Sequence, residues 1–377
     1  MLDLQVFYLS SNPFVASRVY RLELRLGDIK KALGPGANTS SRIRRQLKHT
    51  ITRVFGSSKL PPITVSVTGL IKDIIKITNK LVNVRELCID LWDLAPSYDL
   101  QPLFPSFWSS FGQKLCTLSL DGGSLENFCT LIKNPKLDGL QELSIDFTGS
   151  AGRAIILDVL LPFINSLAPH LVSLRLLSRA SLDLSTFFAQ LAPFPGLKTL
   201  TIQTRFNKRA FGDTSGLEDL ICNSSGTLQR VHLCLNPAGL TVDSEEPLGR
   251  WFLKYISDIT RFSYLLRILD FYPTDMDAGA EFLLDCIERS SQSLTELNVR
   301  DRYLQDGGIE AIINVASSCS SLLYLKMNIR KLDVALTDHL ALKLPKIDRL
   351  RLSMREHSVD DPQYLVVCVP RRNCYKH

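Results

Sequence analysis

The 377-residue chain lacks any uninterrupted apolar run of membrane-spanning length; the nearest candidate, residues 154–167, is broken by Asp158, Pro162 and Asn165. A bilayer span needs about 20 predominantly apolar residues, so this segment reads as a buried helix and no membrane association is expected. The nine cysteines are odd in number and contain no Cys-x-x-Cys pair, which argues against a disulfide framework or a zinc ribbon. With 20 Gly and 18 Pro, the composition excludes a collagen-like or low-complexity chain. The residues from Met1 to Leu9 carry Asp3 and no basic cluster, unlike a secretory signal, so a cytoplasmic and/or nuclear location is expected.

Signatures of catalysis are missing too. There is no Gly-x-Ser-x-Gly elbow and no His-Glu-x-x-His. The six histidines (49, 170, 232, 339, 357, 377) include no pair at the i, i+4 spacing that places two metal ligands on one helix face. Gly34-Pro-Gly36 lacks the Lys-Ser/Thr of a phosphate cradle, and Pro35 removes a backbone donor such a loop needs. Thr274-Asp-Met-Asp277 lacks the length and closing Glu of a Ca²⁺ loop and reads as a helix start capped by Asp277. The chain is expected not to be an enzyme and to need no cofactor or metal.

Acid is absent from one stretch. Between Lys30 and Lys59 there are eight basic residues and no Asp or Glu, and Arg371, Arg372 and Lys376 add three more at the end of the chain. The formal net charge is +6, so removing these eleven leaves a mildly acidic body. Phe55 is the lone aromatic in the basic stretch, too few to stack on bases, so a solvated face is favoured there over nuclear import, and nucleic acid is an unlikely partner.

What the chain has in excess is leucine, 64 residues of 377. The pattern apolar-x-x-Leu-x-apolar recurs as Val84-Leu87-Ile89, Leu115-Leu118-Leu120, Leu140-Leu143-Ile145, Leu171-Leu174-Leu176 and Leu197-Leu200-Ile202. It continues as Leu228-Val231-Leu233, Leu266-Leu269-Phe271, Leu294-Leu297-Val299, Leu322-Leu325-Met327 and Ile347-Leu350-Leu352. Two weaker matches precede these, Val19-Leu22-Leu24 and Leu60-Ile63-Val65, and the longest spacing holds an expected loop insertion between Pro237 and Trp251. The Leu-x-apolar core has period two and predicts a short strand. Between strands, Leu70-Ile71-Ile74-Ile75, Ile155-Ile156-Val159-Leu160-Phe163, Phe252-Tyr255-Ile256-Ile259, Phe282-Leu283-Cys286-Ile287 and Ile309-Ile312-Ile313-Ala316 follow helical spacing. One strand and one helix cannot bury their own apolar faces; stacked neighbours can. The expected fold is therefore an α/β solenoid, a horseshoe with parallel strands on the concave face and helices on the convex face. Residues 1–80 are expected to be an N-terminal segment and 81–377 a repeat domain with a C-terminal cap.

This strand signature is that of leucine-rich repeats. The stretch Leu294-Thr-Glu-Leu-Asn-Val, then Leu304 to Cys319-Ser-Ser-Leu-Leu-Tyr-Leu, resembles the cysteine-containing subtype, in which Cys-x-x-Leu precedes the next strand. Other units place Ser225-Gly-Thr-Leu228 or Ser291-Gln-Ser-Leu294 there. The segment Leu9-Ser-Ser-Asn-Pro-Phe-Val-Ala-Ser-Arg-Val-Tyr-Arg-Leu-Glu-Leu is similar to the one that follows the F-box in many fungal members. The resemblance implies the substrate-recognition repeats of an F-box-type subunit of an SCF ubiquitin ligase, with a protein substrate on the concave face. No F-box is visible before residue 12, so the ligase adaptor is expected as a partner only if an F-box is restored upstream. The alternative is a stand-alone leucine-rich-repeat scaffold or inhibitor.

Three side chains per strand are expected on the concave face. The early strands give Glu86, Cys88, Asp90; Thr117, Ser119, Asp121; and Glu142, Ser144, Asp146, five acids and no base. From Leu171 onward come Arg175, Arg230, Asp270, Tyr272, Glu296, Arg300, Tyr324, Lys326, Arg349 and Arg351 among neutral residues, six bases against two acids. The predicted partner-binding residues are Glu86, Asp90, Asp121, Glu142, Asp146, Arg175, Arg230, Tyr272, Arg300, Tyr324, Lys326, Arg349 and Arg351. Cys88 and Cys234 are expected on this face, and Cys129, Cys222, Cys286 and Cys319 in packing positions.

Overall fold

The computed structural model describes residues 13–25, 67–90, 102–121, 137–146, 153–178, 183–206, 211–236, 246–258, 265–271, 277–304, 306–355 and 364–369. Tyr272, Cys129, the unit Leu60-Ile63-Val65, residues 30–59, residues 237–245 and the basic tail lie outside them, while the rest of the expected loop insertion, from Glu246 to Trp251, is helical. The chain divides into two compact units, Met1–His170 and Leu171–His377.

In the first unit a helical turn, α1 (Pro13–Ala16), leads into β1 (Arg21–Arg25), followed by α2 (Val67–Thr78), β2 (Glu86–Asp90), α3 (Leu103–Phe111), β3 (Thr117–Asp121) and β4 (Glu142–Asp146). The weak match Val19-Leu22-Leu24 is thus a true strand: β1 pairs parallel with β2, Leu22 opposite Leu87 and Leu24 opposite Ile89. β2 to β4 continue in parallel register, Leu87, Leu118 and Leu143 forming one buried row. Each fully buried leucine stabilises the fold by about 2 kcal/mol. The expected buried helix ends the unit as α4 (Leu161–Leu167), preceded by a π-helical turn, Ile156–Leu160. Pro162 accounts for the widened turn, because its missing N–H and its ring cannot be accommodated in regular α-helical bonding.

The second unit opens with β5 (Ser173–Leu177) and alternates α5 (Ser185–Ala189), β6 (Thr199–Thr204), α6 (Ser215–Ser224), β7 (Arg230–Leu235), α7 (Glu246–Asp258) and β8 (Ile268–Phe271). It continues with α8 (Asp277–Arg289), β9 (Glu296–Leu304), α9 (Asp306–Ala316), β10 (Tyr324–Ile329), α10 (Val334–Lys343), β11 (Arg349–Arg355) and β12 (Tyr364–Val369). β5 to β11 are parallel and neighbours in chain order; β12 pairs antiparallel with β11 and caps that end. Rings of α7 and α8 reach strand β8, with Phe271 centred 5.7 Å from Phe252 and 5.4 Å from Phe282. The described helices therefore cover the leucine-bearing face, and no described helix covers the other. Between α5 and α6 the backbones approach so closely that a Cβ on Gly216 would lie 2.2 Å from the Ala189 nitrogen.

One hydrogen-bond motif repeats at the strand entries. Two successive N–H groups donate to a single carbonyl one repeat earlier: Arg85 and Glu86 to Tyr20, Cys116 and Thr117 to Arg85, and Gln141 and Glu142 to Cys116. In the second unit the same fork runs from Lys198 and Thr199 to Val172 through to Asp348 and Arg349 to Leu323. This fixes register independently of side chains, and it makes the fold an α/β solenoid of the leucine-rich-repeat kind.

Candidate recognition surface

The polar positions between the strand leucines stand on the open face of each unit. In the first unit the sequence expects acids without a base, and β1 changes this. Arg21 lies 3.6 Å from Glu86 of β2, and both Arg21 and Arg25 flank Glu23, the latter at 2.6 Å. The face is acidic with an arginine-bearing edge. Asp121 accepts hydrogen bonds from the Ser119 hydroxyl at 3.0 Å and the Cys88 thiol at 3.4 Å. Glu142 accepts one from Thr117 at 3.3 Å, while Asp90 and Asp146 end their strands half-buried. Burial first, then the Asp121 charge and hydrogen bond, push the Cys88 thiol up to about 12. Cys88 is therefore a protonated packing group at neutral pH rather than a nucleophile.

In the second unit Arg175, Arg230, Arg349 and Arg351 are exposed, and Lys326 and Tyr324 are half-buried. The Arg349 guanidinium lies over the Tyr324 ring, 4.8 Å from its centroid. Of the concave-face positions expected from alternation, Leu177 and Cys234 are buried, 8% and 2% exposed, as are Asp270 and Asn298. After Cys234 the chain turns through Asn236, at φ 55°, whose carboxamide bonds both backbone groups of Phe206 (2.7 and 3.1 Å), so the end of β7 sits inside.

The sequence reading placed Asp270 on this face but did not give it a central role. Its side chain is 10% exposed and one carboxylate oxygen, Oδ2, lies 2.8 Å from the Arg300 guanidinium and 3.5 Å from His232 Nδ1. Asp270 pairs with Asn298, so strand alternation puts Arg300, two residues further on, beside it on the same face; beyond Val299 β9 leaves regular register with β10, where Met327 pairs with Val299 but Ile329 pairs with Leu304. Burial pushes Asp270 up to about 6 against the opposing pull of Arg300 and Lys326. Burial, then the charges of Arg300 and Arg175, hold His232 down to about 4. Lys326 is lowered by burial, Arg300 and Arg351. No periodicity announces a buried carboxylate here; a lone acid between basic strands was the available signal.

Of the packing cysteines, Cys286 and Cys319 are buried and Cys222 is half-buried. The Cys319 thiol donates to the Ile287 carbonyl of the preceding repeat at 3.8 Å. Among the described residues no group of three His, Cys, Asp or Glu side chains could hold a metal ion, and no helix is long and apolar enough to cross a membrane.

No family model matches the sequence, and no curated protein does. Among solved structures, a Bacteroides fragilis protein is similar over 77% of this chain and 85% of its own, at 15% identity and a TM-score of 0.44. A leucine-rich-repeat protein of Leptospira interrogans is similar over 93% of this chain and 98% of its own, at 12% identity and a TM-score of 0.20. The fold assignment stands on the strand register and the repeated backbone fork.

Proposed function

We propose that this chain is a non-catalytic protein-recognition module whose open strand faces bind a partner polypeptide. The carrying observation is the second unit's row of seven adjacent parallel strands, which presents polar and cationic side chains on a face no described helix covers. Such a face offers many separately tunable positions on a rigid backbone, and its charges steer encounter and orientation more than they add affinity. Arg and Tyr side chains serve as anchors in such contacts.

The finer reading is the substrate-recognition part of an F-box-type subunit of an SCF ubiquitin ligase, acting in the cytoplasm or nucleus. Cys319 supports it by filling the pre-strand position of the cysteine-containing repeat subtype. The test is co-purification with the ligase adaptor when the chain is expressed with any upstream F-box in frame. Retention of the adaptor supports the ligase role. Its absence, with partner binding on the open face intact, leaves a stand-alone scaffold.

A further inference from the structure

Across the second unit the central open-face positions align as Arg175, Thr201, His232, Asp270, Asn298, Lys326 and Arg351. Asp270 and Asn298 are 7% and 3% exposed, so this row has a buried middle and cationic ends. The contacts of Asp270 with Arg300 and His232 both fall on Oδ2, and its Oδ1 is buried with no hydrogen-bond partner among the described residues. The same holds for Asn298 Oδ1, whose amide nitrogen is spent on Glu296 at 2.8 Å, and for Arg300 Nε. Buried polar atoms are almost always bonded, so two acceptors and one donor left open at one place call for a ligand with both kinds of group.

That requirement selects the ligand. A fully ionised inorganic anion offers acceptors alone and would leave Asn298 Oδ1 and Asp270 Oδ1 unmet. A nucleic-acid base would need an aromatic platform, and Tyr324 is covered by Arg349. An extended polypeptide carries backbone N–H donors and, if acidic, a carboxylate for the Arg300, Lys326 and Arg351 cluster.

We propose that Asn298, Arg300, Lys326 and Arg351, with Asp270 beneath them, form a subsite for an Asp- or Glu-bearing stretch of extended polypeptide. The subsite rests on the open-face reading above. Asp270 acts in it as an internal competitor: it holds Arg300 when no partner is present, and an incoming carboxylate must share that guanidinium. Protonating Asp270 therefore releases Arg300 and favours the ligand. The charged groups around it are His232 and Arg230 on β7, Glu296 and Arg300 on β9, Lys326 on β10 and, three strands away, Arg351 on β11. His232, held down to about 4, stays neutral above pH 5, while burial raises Asp270 to about 6 and brings its titration into reach. Affinity for an acidic peptide accordingly rises as pH falls from about 7.5 to 5.5, where peptide carboxylates remain ionised.

The test is fluorescence anisotropy of the whole chain with a labelled glutamate-rich peptide and its glutamine counterpart at low salt. The acidic peptide is expected to bind about tenfold or more tightly than the neutral one. Lys326→Gln with Arg351→Gln removes that preference. Asp270→Asn raises affinity about threefold to tenfold near pH 7.5 and flattens the pH profile, a response that a merely structural carboxylate would not give. Asn298→Ala weakens both peptides alike. Each variant is checked for an unchanged melting curve; should Asp270→Asn unfold, the wild-type pH profile carries the test, and a flat profile overturns the competitor role. Equal binding of the two peptides, still blocked by Thr201→Trp on the same face, overturns the subsite and leaves the protein-binding face standing. No peptide binding, or stronger binding of an oligouridylate, overturns both.

Discussion

The two units carry the same backbone ladder and treat their charges differently. On the first unit's open face the acids of β1 to β4 find partners within a strand or across one: Glu86 with Arg21, Glu23 with Arg25, Asp121 with Ser119 and Cys88, Glu142 with Thr117. The exposed ion pairs among these, Glu86 with Arg21 and Glu23 with Arg25, contribute little stability, about 0–1 kcal/mol each. On the second unit a carboxylate is buried, paired on one oxygen, and ringed by cations beyond what it can neutralise. The difference teaches that in a repeat fold the framework is generic. What separates the two faces is a carboxylate buried among cations, Asp270 beneath Arg300, on the second.

The largest effect should come from the framework both units share. Phe252→Ala removes a ring packed at tilted angles against Trp251, Phe271 and Phe282, and Phe107→Ala removes one between Phe104 and Phe111. Each should cost about 3–5 kcal/mol in denaturant unfolding, and a cost below about 1 kcal/mol at either site would mean that the units do not share one packing logic.

Charge reversal sharpens the contrast. Lys326→Glu, Arg349→Glu and Arg351→Glu together should lower acidic-peptide affinity by more than about tenfold. Reversing Glu86 and Glu142 to Lys should leave that affinity unchanged. Equal losses from both sets would show that the units do not differ as receptors.

A third prediction uses pH. An unfolded histidine takes a proton near pH 6.5, but folded His232 resists until about 4. Between those values the unfolded state binds more protons, so His232 lowers stability as pH falls. Asp270 works in the opposite sense: folded, it takes a proton from about 6 downward, whereas unfolded it waits until about 3.8, so it raises stability as pH falls. His232→Gln removes the first effect and keeps the second. Relative to the unmodified chain, the variant should gain about 1–3 kcal/mol between pH 7 and 4.5, read by urea midpoints. A constant difference across that range would refute the buried pair.

The smallest effect belongs to the first unit. Cys88, held up at about 12, should alkylate slowly with iodoacetamide at pH 8, and Asp121→Asn should quicken it only a few-fold, because burial is the larger cause. Mass spectrometry of the Cys88 peptide reads this directly, and a large acceleration would make the Asp121 charge dominant.

Much of the framework was legible because a leucine at every second strand position is a strong local signal. Leu87, Leu118 and Leu143 align in the structure as their spacing implies. The same local signal is faint at β1, where Val19-Leu22-Leu24 stands apart from the ten clear units, so the arginines it adds to the acidic face went uncounted. The site was legible only as a list of residues on one face. Arg300 and Asp270 are thirty positions apart; alternation puts both on the open face, but only the pairing of Asp270 with Asn298 brings them within 2.8 Å, and neither segment alone encodes that pairing.

By itself, then, the sequence determined the repeat, the strand–helix alternation and the side of each strand that faces solvent, since these follow from side-chain periodicity and from apolar surface that must be buried. Tertiary structure alone decided the antiparallel strand that caps β11, the inward turn at Cys234, and the burial of Asp270 beneath Arg300. Those depend on where residues far apart in the chain are brought within a few ångströms. At that range desolvation and charge set a group's chemistry more strongly than its sequence neighbours do.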